Sequence, residues 1–401
     1  MPGTRLVITY PFPLGRATGG ARMTREIALA VARAGAEVVL LPVSSDGGGR
    51  FPRRPPEEAA LGYEFDAELR DAGVEVRRVP QHRLHWMFDG RGVARAVDRA
   101  LQERPADMVL SYYHDGGYVP AVAARHGVPF GYISTWQSYE KALAAPLRGI
   151  PEPFARGLKQ RRVVAPHRQA SVLFATSEFT RDELIRFVGV DPERIVICRL
   201  GVAPRFFDVP RSAPEQVTRL LFFGRIIPSK GVGDAIEALG QLAAQGVNGW
   251  QLRLVGQGDP AWVREAAARC GIADRIELAP AAADDALCAE LESAHVAVLP
   301  SHFEAFGLAF AEAQAAGLPV VAYRAGSVGE VVEDGVSGWL APLRDVKALA
   351  AHLGHALADP AAVGRAGAAA RERVARLFTW ERTGQTILDG VGRVCAAEPR
   401  P

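Results

Sequence analysis

Apolar residues are distributed along this chain as short continuous runs separated by longer stretches of helical spacing. In the first half the runs are LVITYPF (6–12), AEVVLLPV (36–43), VEVRRVP (74–80), DMVLSYY (107–113), PFGYIST (129–135), SVLFATS (171–177) and RIVICRL (194–200). Most have strand length and few polar positions, the pattern of parallel strands covered on both faces. Segments such as 22–34, 91–103 and 178–188 fit helices between them. The turn-prone stretch APRFFDVPRSAPEQ (203–216) then breaks the pattern and reads as a linker. It restarts with TRLLFFG (218–224), WQLRLVG (250–256), RIELAP (275–280), HVAVLP (295–300), PVVAYR (319–324) and GWLAP (338–342), separated by alanine-rich helical segments, and closes with a helix over about 380–396. The expectation is an α/β protein of two Rossmann-like doubly wound domains in sequence, 1–203 and 217–378, whose strand C-termini face a common cleft. Residues 44–66 read as a mobile insert in the first of them.

The chemistry gathers just beyond strand ends. In PSHFEAFGLAFAEAQAAGLPVVA (300–322) two carboxylates, Glu304 and Glu312, are separated by seven residues. Glu304 falls at the mouth of the HVAVLP strand, and Glu312 is expected two turns into the next helix. The amides of Phe306, Gly307 and Leu308 are the unpaired donors of that helix start, suited to an anion or to sugar hydroxyls. Another strand end, FFGRIIPSKGVGDAIEA (222–238), places Gly224, Arg225 and Lys230 on one loop, where a guanidinium fork and an ammonium suit a diphosphate. Two solvated cations on a surface loop would give the same local sequence. RLVGQGDPA (253–261) has G-x-G-x-x-A spacing with Glu277 downstream, which raises a dinucleotide-binding reading. Against it, this is the second strand–helix unit of its sheet and Pro260 stands where helix amides are needed. Gly19 and Gly20 follow the first strand and open a helix, a weak phosphate or sugar signal on their own.

Composition narrows the function classes. Net charge is +2, with residues 1–200 at +6 and the remainder at −4. The densest basic stretch, RGLKQRRVVAPHR (156–168), suits an anionic acceptor, a membrane surface or a solvated helix face. Nucleic acid is not expected, since aromatics do not interleave these charges. Arginine outnumbers lysine 43 to 4, so Lys230 in a glycine-flanked loop suggests that a compact point charge is wanted there. Cys198, Cys270, Cys288 and Cys395 form no CxxC pair, as expected of reduced cytoplasmic thiols. No run approaches a transmembrane length, and the start resembles a first strand more than a secretory signal.

Taken together, TGGARMTREIALAVARAGAEVVLL, TSEFTRDELIRFVGVDPERIVICRLGV, FFGRIIPSKG, LVGQG, the Glu304–Glu312 run with its flanks, and FTWERTGQTIL resemble family 4 of the retaining glycosyltransferases. The resemblance covers nearly the whole chain and is strongest from 171 to 345. It implies the GT-B fold, with 379–401 as a helix crossing back onto the first domain. It also implies transfer of a sugar from a nucleoside diphosphate sugar, with retained configuration and no metal or other cofactor. The chain has no Asp-x-Asp pair. Carried over by position, Arg225 and Lys230 hold the leaving diphosphate. Glu304 and the amides of Phe306, Gly307 and Leu308 hold the sugar, Glu312 binds the ribose, and Gly19 and Gly20 approach the diphosphate from the first domain.

Two positions depart from the family pattern. The histidine usual in a Thr-x-His setting near the donor's C6 hydroxyl is replaced by Gln137 in GYISTWQSYEK (131–141), which suggests a donor atypical at C6. His114, in SYYHDGG, ends the preceding strand and is a second candidate on the acceptor side; an ordinary strand-end histidine is the alternative. The usual Asn before Gly201 is Leu200. The leading expectation is a cytoplasmic enzyme glycosylating a small polar natural product or precursor. The alternatives are a membrane-surface enzyme acting on a lipid head group, a nucleotide-sugar-binding protein without turnover, and, most distantly, a dehydrogenase.

Overall fold

A computed structural model describes residues 3–10, 14, 19–43, 67–80, 85–112, 118–134, 138–146, 151–282 and 284–397. The insert 44–66, His114 and Gln137 lie outside them. The chain divides into two compact units, residues 1–201 with 380–401, and residues 202–379.

The first unit is built on a parallel sheet of β1 (Arg5–Tyr10), β2 (Glu37–Pro42), β3 (Val74–Val76), β4 (Met108–Tyr112), β5 (Phe130–Ser134), β6 (Val172–Ala175) and β7 (Ile195–Ile197), in the order β3-β2-β1-β4-β5-β6-β7. Residues of β1, β4, β5 and β6 are buried throughout, because helices cover both faces. The last helix, Trp380–Ala397, belongs to this unit and packs on the helix Gly19–Arg33. Their backbones approach closely enough that a Cβ on Gly384 would sit 2.6 Å from the Ala30 carbonyl oxygen. Thr383 Oγ1 donates to the Arg199 carbonyl at 2.8 Å and ties the same helix beneath β7. Burial pushes the Cys198 thiol there up to about 12, so it stays protonated.

The second unit repeats the plan with β8 (Arg219–Phe223), β9 (Gln251–Val255), β10 (Ile276–Ala279), β11 (Val296–Val298), β12 (Val320–Tyr323) and β13 (Gly338–Ala341), all parallel, in the order β10-β9-β8-β11-β12-β13. In each sheet the order reverses beside its first strand, between β1 and β4 and between β8 and β11. The carboxyl ends of those strand pairs are where a doubly wound sheet leaves a ligand crevice.

At the opposite, amino edge of the second sheet, cations serve the backbone. Arg211 donates to the carbonyls of Leu291 (2.6 Å), Ala294 (2.6 Å) and Ala316 (3.0 Å), and Arg371 donates to those of Ala315 (3.0 Å) and Val209. Those of Leu291, Ala294, Ala315 and Ala316 lie at or just past the C-termini of the helices Asp284–Ser293 and Leu308–Ala315, where intrahelical partners run out. The two guanidiniums, with His295, line a cavity of about 350 Å³. Burial and the neighbouring Arg371 lower the Arg211 guanidinium to about 10. His295 Nδ1 accepts the amides of Thr218 (3.0 Å) and Arg219 (3.3 Å), which requires an unprotonated nitrogen. Burial, then Arg219 and Arg211, hold this imidazole below its ordinary value.

Candidate functional site

The loops after β8 and β11 meet through one residue without a side chain. After β8 the chain makes a single tight turn, Pro228–Lys230, and leaves it at Gly231 with φ +71°. A Cβ on Gly231 would lie 1.9 Å from the Pro300 carbonyl oxygen, so only glycine fits both the conformation and the contact. The amide of His302 donates to the Ser229 carbonyl at 3.0 Å and adds a second tie. Held in this way, Lys230 Nζ donates to Glu304 Oε1 at 2.6 Å, with both side chains largely buried. The lysine and the glutamate, which sequence reasoning set against different parts of a ligand, are bonded to each other.

Beneath that pair lies a polar brace. Asp234, in the first turn of the helix Val232–Ala244, accepts His302 Nε2 at 3.1 Å and the Tyr323 hydroxyl at 3.0 Å on the same carboxylate oxygen. The His302 and Tyr323 rings lie tilted with centroids 6.2 Å apart. Burial, and then the bond to Asp234, push the Tyr323 hydroxyl up, so it remains a donor. The Glu304 carbonyl in turn accepts the amide (3.0 Å) and hydroxyl (3.2 Å) of Ser327. The loop carrying Lys230, the loop carrying Glu304 and the end of β12 therefore form one bonded assembly.

The helix after Glu304 runs Leu308–Ala315, entered through Gly307 at φ +88°, where a Cβ would come within 2.9 Å of the Phe310 ring. Phe306 therefore precedes the helix, with its ring buried edge-on against Phe378 at 5.6 Å. Among the described residues, no protein acceptor is recorded for the amides of Phe306, Gly307 and Leu308. Glu312 lies one turn into this helix, not two, because the helix begins at Leu308, and it is buried. Arg225 is exposed beside Gly224 (φ +132°), and no hydrogen bond or ion pair of its guanidinium is recorded among the described residues.

The glycines of RLVGQG serve packing. A Cβ on Gly256 would lie 1.7 Å from the Gly224 carbonyl oxygen, and one on Gly258 would lie 2.2 Å from that of Ile226. The loop after β9 is thus pressed along the loop after β8, with the Ile226 amide donating to the Gln257 carbonyl at 2.9 Å. This close approach accounts for the G-x-G spacing without a dinucleotide.

In the first unit, Gly19 and Gly20 begin the helix Gly19–Arg33 that follows β1. His114 and Gln137 are outside the described residues, but the turn after Gln137 is firmly built. Ser138 caps the helix Tyr139–Ala144 by accepting the Lys141 amide and donates to buried Glu183 at 2.9 Å, which also accepts the Tyr139 amide at 2.9 Å. His167 Nδ1 faces the Val163 carbonyl at 2.5 Å and must donate, leaving Nε2 to accept the Tyr139 hydroxyl at 2.8 Å. This imidazole is 1% exposed and serves as a fixed strut. In the basic stretch 156–168, Lys159 is buried and donates to the Leu143 carbonyl, and Arg168 donates to that of Val188. Arg156 and Arg161 are exposed. Among the described residues, no group of three His, Cys, Asp or Glu could hold a metal ion.

Sequence reasoning missed His302, Asp234, Tyr323 and Gly231. Gly231 had a local signal, following a lysine in a tight loop. The other three are separated by 68 and 89 residues along the chain and have none.

Comparison with known proteins covers both units. Residues 18–201 match a family model described as "Glycosyl transferase 4-like domain", and residues 206–373 match one described as "Glycosyl transferases group 1". A D-inositol 3-phosphate glycosyltransferase of Geodermatophilus obscurus is 33% identical over 354 residues, covering 79% of this chain and 75% of that protein. Another, of Xylanimonas cellulosilytica, is 30% identical over 441 residues and covers 100% of both chains. A glycogen synthase of Mycobacterium tuberculosis is 29% identical over 423 residues, covering 98% of this chain and 95% of that one. Among solved structures, sucrose-phosphate synthase from Thermosynechococcus elongatus superposes with a TM-score of 0.74 at 20% identity, covering 98% of this chain and 100% of that one. Anabaena HepE in complex with UDP-glucose superposes with a TM-score of 0.68 at 20% identity, covering 97% and 99%.

Proposed function

The chain belongs to glycosyltransferase family 4, with the two-domain GT-B fold, and from that premise we propose that it transfers a sugar from a nucleoside diphosphate sugar to a small polar acceptor in the cytoplasm, with retained configuration and without a metal. One observation carries the reading. Lys230, Glu304 and the amides of Phe306, Gly307 and Leu308, which have no acceptor recorded among the described residues, gather where the β8–β11 switch point leaves its crevice. Breaking the bond between sugar and phosphate puts negative charge on the diphosphate and positive charge on the sugar ring. Lys230 and exposed Arg225 are fixed cations for the leaving group, and helix-start amides offer donors to a phosphate oxygen or a hydroxyl. Glu304 takes sugar hydroxyls and Glu312 the ribose; Gly19 and Gly20 bring amides to the diphosphate. No protein nucleophile is needed in this scheme. A small polar acceptor is favoured by the inositol phosphate named for two of the relatives, and Gln137 and His114 are the candidates on that side.

The test is incubation with UDP-, GDP-, ADP- and dTDP-sugars against a panel of polyols and sugar phosphates, following diphosphate release and reading the product's anomeric configuration by proton NMR. One donor class giving a retained product supports the proposal; release with no donor, or an inverted product, contradicts it.

A lipid head group is a second acceptor reading, favoured by Phe154, which is 73% exposed in a helix whose flank carries exposed Arg156 and Arg161. Among the described residues, no helix is long and apolar enough to cross a membrane, so such contact would be peripheral. Sedimentation with anionic liposomes, lost in Phe154→Ser, separates the two readings.

A further inference from the structure

The 2.6 Å bond between Lys230 and Glu304 gives the site a property that neither residue has alone. We propose that Glu304 competes with phosphate for Lys230, so that the site favours an intact sugar donor over the free diphosphate and expels the diphosphate once the sugar has gone. This rests on the donor-site reading above.

Lys230 offers an ammonium, and one of its bonds goes to Glu304. A diphosphate offers its oxygens, which only accept. To engage Lys230 fully it must draw the ammonium off Glu304, leaving a largely buried carboxylate with no donor and facing like charge. An intact sugar donor brings hydroxyls as well. Those hydroxyls donate to Glu304 while the phosphates take Lys230, so every group displaced from the ion pair finds a new partner. The exchange is balanced for the whole donor and unbalanced for its product. Glu304 cannot swing far to relieve the imbalance. Its carbonyl is held by the amide and hydroxyl of Ser327, and the loop before it is tied through His302 to Asp234 and to Ser229.

Three features of the site support exchange over a permanent structural bond. The pair joins two side chains, whereas the half-buried cations Arg211 and Arg371 on the same sheet are bonded to backbone carbonyls that cannot leave. Arg225, on the Lys230 loop, is exposed with no partner of its guanidinium recorded among the described residues, so a diphosphate has a first contact before it disturbs the pair. The amides of Phe306, Gly307 and Leu308 likewise have no protein acceptor recorded among the described residues.

The experiment is a double-mutant cycle read by calorimetry. UDP, GDP, ADP and dTDP are titrated into the wild type, and the diphosphate that binds is carried forward with its glucose or mannose conjugate. Glu304→Gln keeps the shape and removes the competing charge. It is expected to bind the free diphosphate about tenfold more tightly and the intact donor more weakly, reversing the preference of the wild type; a charge-assisted hydrogen bond is ample for a change of this size. Glu304→Ala should move diphosphate affinity in the same direction, and thermal unfolding checks that both variants fold. In a Lys230→Met background, Glu304→Gln should change diphosphate affinity by no more than about twofold, because the competition acts through Lys230. Unchanged diphosphate affinity in both Glu304 variants overturns the proposal. So does a gain that persists without Lys230, which would mean simple repulsion by Glu304. If no diphosphate binds the wild type, the donor-site reading itself fails and takes this proposal with it; the wild-type titration therefore tells the two failures apart.

Discussion

The two edges of the second sheet use the same kinds of side chain to opposite ends. At the amino edge, Arg211 and Arg371 give their hydrogens to backbone carbonyls left over at helix C-termini, and His295 accepts two strand amides. At the carboxyl edge, Arg225 stays exposed, and the partner recorded for the Lys230 ammonium among the described residues is a side-chain carboxylate. A carbonyl in a helix end cannot leave its cation without unravelling structure, but a carboxylate can be traded for a ligand. Two cations at one edge are therefore part of the fold, and two at the other are available for chemistry. A count of charges, or of cavities, does not separate them; the nature of the partner does. The cavity at the amino edge is real, yet most of its guanidinium donors are already committed to the backbone.

Breaking this contrast should give effects that differ in kind as well as size. The largest is expected at the carboxyl edge: Lys230→Ala or Arg225→Ala should lower kcat by about 10²–10³, as for losing one transition-state donor, with the variants still folded by thermal unfolding. Near-normal turnover in both variants would remove the assignment. At the amino edge, Arg211→Ala should leave donor KM unchanged but cost about 3 kcal/mol of stability in urea unfolding, because several carbonyls lose a charged donor at once. Tyr323→Phe sits between the two cases. It deletes one of the two bonds to Asp234 and should cost about 1 kcal/mol, with a modest rise in donor KM as the Lys230 and Glu304 loops loosen.

The smallest effect is a pH dependence. His295 is held below its ordinary value near 6.5, so the unfolded chain binds its proton first as pH falls. The stability it contributes is complete above about pH 6.5 and is lost progressively below that value. His295→Asn, which can still accept an amide, should flatten the decline of unfolding midpoint on the acid side. An unchanged slope would show that other groups dominate.

Much of the fold was legible because buried parallel strands write themselves as apolar runs, and each of the thirteen runs picked out in the sequence overlaps a strand. Irregularity was not legible. Residues 178–188 read as one helix, but the hydrogen-bond pattern widens to a π-turn over Leu184–Val188 before Gly189 ends it, and QRRVV at 160–164 does the same. No periodicity marks such a change. Of the candidate residues, Arg225, Lys230 and Glu304 could be picked out because each stands just beyond a strand end, and the ends of β8 and β11 adjoin at a switch point. The wiring of the site was not legible. The Lys230–Glu304 bond joins residues 74 apart, and the brace on Asp234 reaches across 68 and 89 positions, so both depend on the strand order β9-β8-β11-β12. Gly256 and Gly258 show the converse: the spacing raised a ligand reading that their place in the sheet already argued against, and a neighbouring loop explains them.

The most direct measurement is calorimetric titration of UDP, GDP, ADP and dTDP into the wild type and into Lys230→Ala and Arg211→Ala. The account predicts that one diphosphate binds the wild type, that Lys230→Ala weakens it by about tenfold or more, as for losing a charged hydrogen bond, and that Arg211→Ala binds it normally. Equal affinity in wild type and Lys230→Ala, or loss of binding in Arg211→Ala while it remains folded, would contradict the division of labour between the two edges.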